Sequence, residues 1–289
     1  MFRTSTGAVD RIAAVDYICG VVAAEVPASY HEEALKAQAV AAFTYACHAR
    51  ENNRSNPGKN STIGGADLSD DSSTAEAYLS ETEARAKWGA SFDSQWSRIR
   101  QAVEQVAGQV IVWQGKPIDA VYFSCSGGRT EDSADVWGDS QPYLKSVDSS
   151  FDKNAPDYAS SRQFSKEEFS NRVKAKYPAA AFGSDPAKWL GSVVRSRAGG
   201  VKTASLCGTA VSGETLRTLF GLRSADFTLT YQKGTFTFTV RGNGHGVGMS
   251  QYGAEYLAAH GKTWKEILSY YYTGISIAGY QWSGTDDNS

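Results

Sequence analysis

The chain has 289 residues, 29 basic and 31 acidic side chains, a formal net charge of -2 and 41% hydrophobic content. That length and apolar content allow a sizeable core in one domain, and an even charge balance with no basic block excludes an electrostatic nucleic-acid binder. The four cysteines, Cys19, Cys47, Cys125 and Cys207, form no CxxC pair and stand beside only four histidines. No local zinc spacing is therefore encoded, and buried thiols are expected, with one disulfide between distant segments as the alternative.

Residues 11–26 read as a helix in which Val15, Ile18, Val22 and Glu25 share one sector at 3.6 residues per turn. Pro27 restricts Val26 to extended backbone and stops that helix. Ser29 with Glu32 predicts a capping box for the next helix, whose buried stripe is Leu35, Ala39, Ala42, Phe43 and Ala46. Residues 51–71 are polar and rich in Gly, Ser and Asn, a surface loop or flap; 75–107 look helical with a break near Gly89. Residues 110–123 alternate as a hairpin around Gln114-Gly115-Lys116-Pro117, and 227–240 as a second one turning at Lys233-Gly234. Between them lie a helix capped by Ser165 and Glu168, a strand-like run over 192–206 and a helix over 212–221. Helices near 250–260 and 264–272 close the chain, the last boxed by Thr263 and Glu266 and ending by Gly274. The run over 12–26 is broken by Asp16 and Gly20, and no stretch reads as a signal peptide or membrane span, so the chain as written is expected to be soluble.

Each hairpin runs into a Gly-rich polar loop, residues 124–132 and 241–253. The expected fold class is α+β: one domain over 1–289, helices packed around antiparallel hairpins that present both loops to a cleft, with 51–107 and 151–190 as elaborations. Glu25 draws attention because Val and Ala flank it on both sides. An acid desolvated in that way has its pKa raised and can serve as a proton donor near neutral pH. The plain alternative is a glutamate at a helix end that reaches solvent. The 241–253 loop fits neither GxGxxG in a βαβ unit nor a Walker loop. Its His245 reads first as a structural hydrogen-bonder, with catalytic base and ligand donor as the alternatives. Ser126 before Gly127-Gly128 lacks the GxSxG context, and Cys125 with His245 makes a thiol nucleophile pair with no third orienting group.

Three ordered segments resemble the stage II sporulation protein D family, also called the SpoIID/LytB domain family. They are 20–42, containing Ala24-Glu25-Val26-Pro27-Ala28 and Ala34-Leu35-Lys36-Ala37-Gln38-Ala39; 124–144, containing Ser126-Gly127-Gly128, Val136-Trp137-Gly138 and Pro142-Tyr143-Leu144; and 244–254, containing Gly244-His245-Gly246-Val247-Gly248-Met249-Ser250-Gln251-Tyr252-Gly253. The segment 212–224 is also similar to that family. The resemblance implies a peptidoglycan lytic transglycosylase acting in engulfment during sporulation. Such an enzyme cuts the bond between N-acetylmuramic acid and N-acetylglucosamine in glycan strands stripped of stem peptides and leaves 1,6-anhydro ends. It implies Glu25 as the catalytic acid/base and no cofactor. Substrate contacts are expected from Gln38, Ser126, Gly127, His245, Gln251 and Tyr252. The implied partners are glycan strands, a stage II sporulation protein P-like amidase/endopeptidase and a membrane partner; the protein itself is expected as a monomer. Family members are extracytoplasmic and tethered by an N-terminal membrane helix that this chain lacks. Some act instead as amidase enhancers that bind glycan and stimulate a partner hydrolase. Two departures stand out: Phe43 occupies a position where many relatives carry Arg, and Asp70-Asp71-Ser72-Ser73-Thr74-Ala75-Glu76 lacks the Cys and His with which some relatives bind zinc.

Overall fold

The computed structural model describes residues 1–71 and 75–281. The chain divides into two compact units, Met1–Val121 with Leu257–Ser289, and Tyr122–Tyr256. Helices and mostly antiparallel strands occur in both, the α+β class that the sequence predicts.

In the first unit, α1 (Ala14–Glu25) ends where Pro27 requires it: Val26 is extended, with φ -133° and ψ 152°. The turn after it is closed by the Tyr30 N–H donating to Pro27 O at 3.0 Å. That turn delays α2 (Glu32–Ser55), so the Ser29–Glu32 box does not form. His31 takes the N-cap instead, its Nδ1 accepting from the Glu33 N–H at 3.2 Å. Glu32 pairs with Lys36 at 2.8 Å. The stripe Leu35, Ala39, Ala42, Phe43 and Ala46 is buried as expected. The helix also runs past Glu51 to Ser55, and after Asn56 a further short helix, α3 (Pro57–Thr62), follows, so most of residues 51–62 is helical rather than loop. Once the buried half of α2 has nucleated the helix, adding polar residues at its end costs little, whatever their composition suggests.

Ser80 and Glu83 make a capping box at the start of α4 (Glu81–Trp88), which ends at Gly89 with φ 52°. A single 3₁₀ turn, Gly89–Ser91, leads into α5 (Phe92–Gln105), whose buried side is Phe92, Trp96, Ile99, Ala102 and Val103. α5 packs against α1 and α2. β1 (Gln109–Trp113) and β2 (Lys116–Pro117) form the first hairpin across Gln114 and Gly115, both left-handed at φ 50° and 77°. Thr44 stitches α2 to β1: its hydroxyl donates to Val40 O at 2.6 Å and accepts the Ile111 N–H at 2.9 Å.

The second unit contains β3 (Tyr122–Phe123), α6 (Ser133–Trp137), β4 (Ala159–Ser165), α7 (Lys166–Lys176), β5 (Leu190–Arg195), β6 (Val201–Leu206), β7 (Thr209–Ser212), α8 (Gly213–Phe220), β8 (Phe227–Gln232), β9 (Thr235–Arg241) and β10 (Met249–Ser250). β4, β9 and β8 form one antiparallel sheet, and β5, β6 and β7 another. The single strand-like run over 192–206 is thus two strands, because Gly199, at φ 110°, turns the chain between them. Phe164, Phe169, Phe220, Phe236 and Phe238 fill the core, with the Phe169 and Phe236 rings stacked at 4.0 Å. β3 is not the return arm of the first hairpin; it pairs in parallel with β10.

The helix α9 (Gln251–Ala259) spans the junction by which the chain re-enters the first unit. There α10 (Trp264–Tyr271) carries the expected Thr263–Glu266 box, and β11 (Ser276–Gly279) pairs with β1. Among the described residues, no helix is long and apolar enough to cross a membrane.

Candidate active site

Glu25 is the last residue of α1 and is half-buried. The strap of residues 75–80 lies along α1. Its Ala77 N–H donates to Glu25 Oε1 at 3.1 Å, and its Leu79 N–H donates to Gly20 O at 3.1 Å. Tyr17 stacks on Tyr78 at 5.6 Å and its hydroxyl donates to the buried Glu76 Oε2 at 3.3 Å. Burial and the neighbouring Glu76 push the Tyr17 phenol well above its usual range, so it stays a donor. The strap thereby fixes one oxygen of Glu25 by an amide.

Glu25 faces a groove of about 1110 Å³ within the first unit. One wall is the corner after α1, including Val26, Pro27, Ala28 and Ser29; the other is α4–α5, including Lys87, Trp88, Ser94, Ser97, Arg98 and Gln101. The apolar surroundings expected for Glu25 are therefore one-sided: Val21, Val22 and Ala23 are buried behind it, but the wall before it is polar. Sequence reasoning missed the α5 wall. Its signal is the 94, 97, 98, 101 spacing, a polar stripe at helical period opposite the buried stripe of the same helix. The zinc reading falls partly on Ser72, Ser73 and Thr74, which lie outside the described residues. Among the described residues, no cluster of three or more His, Cys, Asp or Glu is placed to hold a metal ion.

Gln38 also belongs to the first unit but does not line this groove. It is 1% exposed, and neither its Oε1 nor its Nε2 has a hydrogen-bond partner among the described residues. An unmade buried hydrogen bond costs about 1–3 kcal/mol. Gln38→Met, similar in shape and without the polar ends, is expected to raise the melting temperature. A fall in melting temperature would contradict this.

The other predicted contacts lie in the second unit, where the two Gly-rich loops zip together. Cys125 and Asn243 exchange both backbone hydrogen bonds, at 3.1 and 2.7 Å, and the Glu131 N–H donates to Gly246 O at 2.7 Å. A Cβ on Gly242 would sit 2.8 Å from Cys125 O, and one on Gly244 would sit 2.6 Å from the Phe123 Cβ. These glycines let one loop approach the other. Ser126 is 2% exposed; its N–H donates to the buried Asp152 Oδ2 at 2.7 Å, and its hydroxyl accepts from the Gly128 N–H at 3.1 Å. Gly127, Glu131, Asp226 and His245 line a small polar pocket of about 40 Å³, in which Glu131 Oε2 and Asp226 Oδ2 make no hydrogen bond of normal geometry. Gln251 is buried at the head of α9, and the half-buried Tyr252 donates its N–H to Ser124 O at 3.0 Å.

Both ring nitrogens of His245 serve the backbone. Nδ1 accepts from the Val247 N–H at 3.2 Å, so Nε2 carries the proton and donates to Tyr122 O at 3.0 Å. Burial, then the Arg217 charge, lowers its pKa to about 4, partly offset by the Tyr122 carbonyl. The native state therefore resists protonation while the unfolded chain, near 6.5, accepts it. Stability from this group is full above pH 6.5 and is lost as the pH falls toward 4, at up to about 1.4 kcal/mol per pH unit. His245→Gln is expected to remove that slope from the difference between variant and wild-type melting curves over pH 4–7. An unchanged slope would overturn it. Burial also pushes the Cys125 thiol up to about 11, so it holds no nucleophilic thiolate at neutral pH. All four cysteines are buried and unpaired by disulfides, as the plainer sequence reading expects.

The sequence profile of the stage II sporulation protein family, SpoIID, matches residues 3–113, which include Glu25 and both walls of its groove. Stage II sporulation protein D of Bacillus amyloliquefaciens is 38% identical over 279 residues, covering 96% of this chain and 78% of that protein. The protein of the same name from Bacillus subtilis (strain 168) is 37% identical over the same shares. An amidase enhancer from Bacillus subtilis (strain 168) is 28% identical, covering 90% of this chain and 40% of its own length.

Proposed function

The chain belongs to the stage II sporulation protein D family, and from that premise we propose that its first unit is a peptidoglycan lytic transglycosylase with Glu25 as the acid/base. The observation that carries this reading is the groove itself. Glu25 is the one carboxyl lining it among the described residues, opposite a wall of hydroxyls and amides with the Trp88 ring beside them. Hydroxyl, amide and aromatic groups suit sugar rings and their acetamido substituents.

Most glycosidases need two carboxyls, one to protonate the leaving oxygen and one to attack or to activate water. A lytic transglycosylase needs only one. Glu25 in its acid form gives its proton to the glycosidic oxygen as the muramic acid C1–O bond breaks. The resulting carboxylate then takes the proton of the muramic acid 6-hydroxyl as that oxygen bonds to C1. No water is consumed, and the product ends in a 1,6-anhydro ring. Peptide-free glycan is the substrate in this reading, sporulation the setting and the outer side of a membrane the site of action. A partner amidase would supply the stripped strands.

Mass spectrometry of peptide-free strands incubated with the protein tests the reaction: anhydro ends are expected, and reducing ends or uncut strands would overturn it. The alignment with an amidase enhancer over most of this chain supports one other reading, a non-catalytic glycan-binding module. That reading predicts no cleavage unless an amidase is added.

A further inference from the structure

The groove carries two cations, Lys87 and Arg98, and they differ from the other cations of α4 and α5. Arg85 is neutralised by Glu81 at 3.3 Å and faces Asp93 at 3.5 Å. Arg100 pairs with Asp16 and, at 3.4 Å, with Glu104. Lys87 and Arg98 form no ion pair among the described residues, and both are exposed. Arg98 is instead oriented by the backbone, one Nη2 hydrogen donating to Tyr30 O at 2.8 Å at the corner beside Ser29. Lys87 Nζ stands 5.9 Å from the centre of the Trp88 ring. Glu32 feels the Arg98 charge but bonds Lys36 at 2.8 Å, so among the described residues the groove lining carries two cations and one glutamate.

Resting on the reading of this groove as a glycan site, we propose that Lys87 and Arg98 are specificity-determining residues that bind the lactyl carboxylate of muramic acid. The chemistry follows from the sugar. The lactyl ether on O3 ends in a carboxyl group that is an uncharged amide while a stem peptide is attached. It becomes an anion once that amide is cut. A guanidinium held by one of its five N–H groups still offers an edge to a carboxylate, and an ammonium beside an aromatic ring can place a second charge next to the stacked sugar. A negative charge at the lactyl position therefore separates stripped from peptide-bearing strands, in addition to any steric effect of the peptide.

Binding is measured on the Glu25→Gln background, so that strands are not consumed. The two ligands are peptide-free glycan strands with free lactyl carboxyls and the same strands with those carboxyls capped as methylamides. Free strands are expected to bind about tenfold more tightly at low salt, with the difference shrinking as salt screens the groove. The Lys87→Gln/Arg98→Gln double variant should bind both strands alike, at the affinity of the capped ones. Thermal melting of that variant checks that its fold is intact. If the Lys87→Gln/Arg98→Gln variant still prefers the free strands, or if capped and free strands bind the unmodified groove equally, the inference is overturned. With Glu25 intact, anhydro ends released equally from both strands would sink this inference and leave the reaction standing. A carboxylate preference without any anhydro release would sink the reaction and leave the charge recognition.

Discussion

Glu25→Gln is expected to lower the release of 1,6-anhydro ends by about 10²- to 10⁴-fold, the range that a positioned general acid/base contributes. The substitution keeps the shape and keeps an oxygen for the Ala77 N–H, which now donates to Oε1 at 3.1 Å. Melting temperature should therefore hardly change. What is lost is the group that can give a proton to the glycosidic oxygen and recover one from the 6-hydroxyl. Among the described residues, no other carboxyl lines the groove to substitute for it. Glycan affinity should survive, because Trp88, Arg98 and the hydroxyl wall are untouched. Undiminished anhydro release from the variant on peptide-free strands would remove Glu25 from the reaction.

How much of this site can be read in the chain depends on how far apart its parts lie. The end of α1 at Glu25 is legible because Pro27 acts locally on Val26, and the boxes at Ser165 and Thr263 because three residues suffice to make each one. The Ser29–Glu32 box fails for a reason equally local but competing: the Pro27–Tyr30 turn occupies those residues first. The polar wall of α5 lies some seventy positions beyond Glu25, and Ser94, Ser97, Arg98 and Gln101 look like any solvated helix face until α1 is placed against it. β11 is short, and only pairing with β1 makes it a strand. The Gly-rich loops mislead in another way. The sequence pattern places both loops at a cleft, and in the second unit their glycines also bring the two loops to each other.

The strap over 75–80 explains why a small residue far from the chemistry should matter to Glu25. Gly20 lies within α1, where alanine is ordinarily the better residue by about 1 kcal/mol. Here a Cβ would overlap the Tyr78 ring and stand 2.5 Å from Leu79 O. The obstacle is partly backbone, and the Leu79 N–H is itself bonded to Gly20 O, so the strap cannot yield without breaking that bond. Overpacking of this kind costs about 1–3 kcal/mol and exceeds the gain in helix propensity. Gly20→Ala should therefore lower the melting temperature by a few degrees, at roughly 2–4 °C per kcal/mol for a domain of this size. A second effect follows from the same displacement. Leu79 is two residues from Ala77, whose N–H holds Glu25. Pushing the strap outward loosens the acid as well, so anhydro release should fall at temperatures where the variant is still fully folded. Gly20→Ala combined with Tyr78→Ala relieves the ring but not the Leu79 carbonyl. It should recover part of the stability and little of the activity; full recovery of both would show that the Tyr78 ring, and not the strap backbone, was the obstacle.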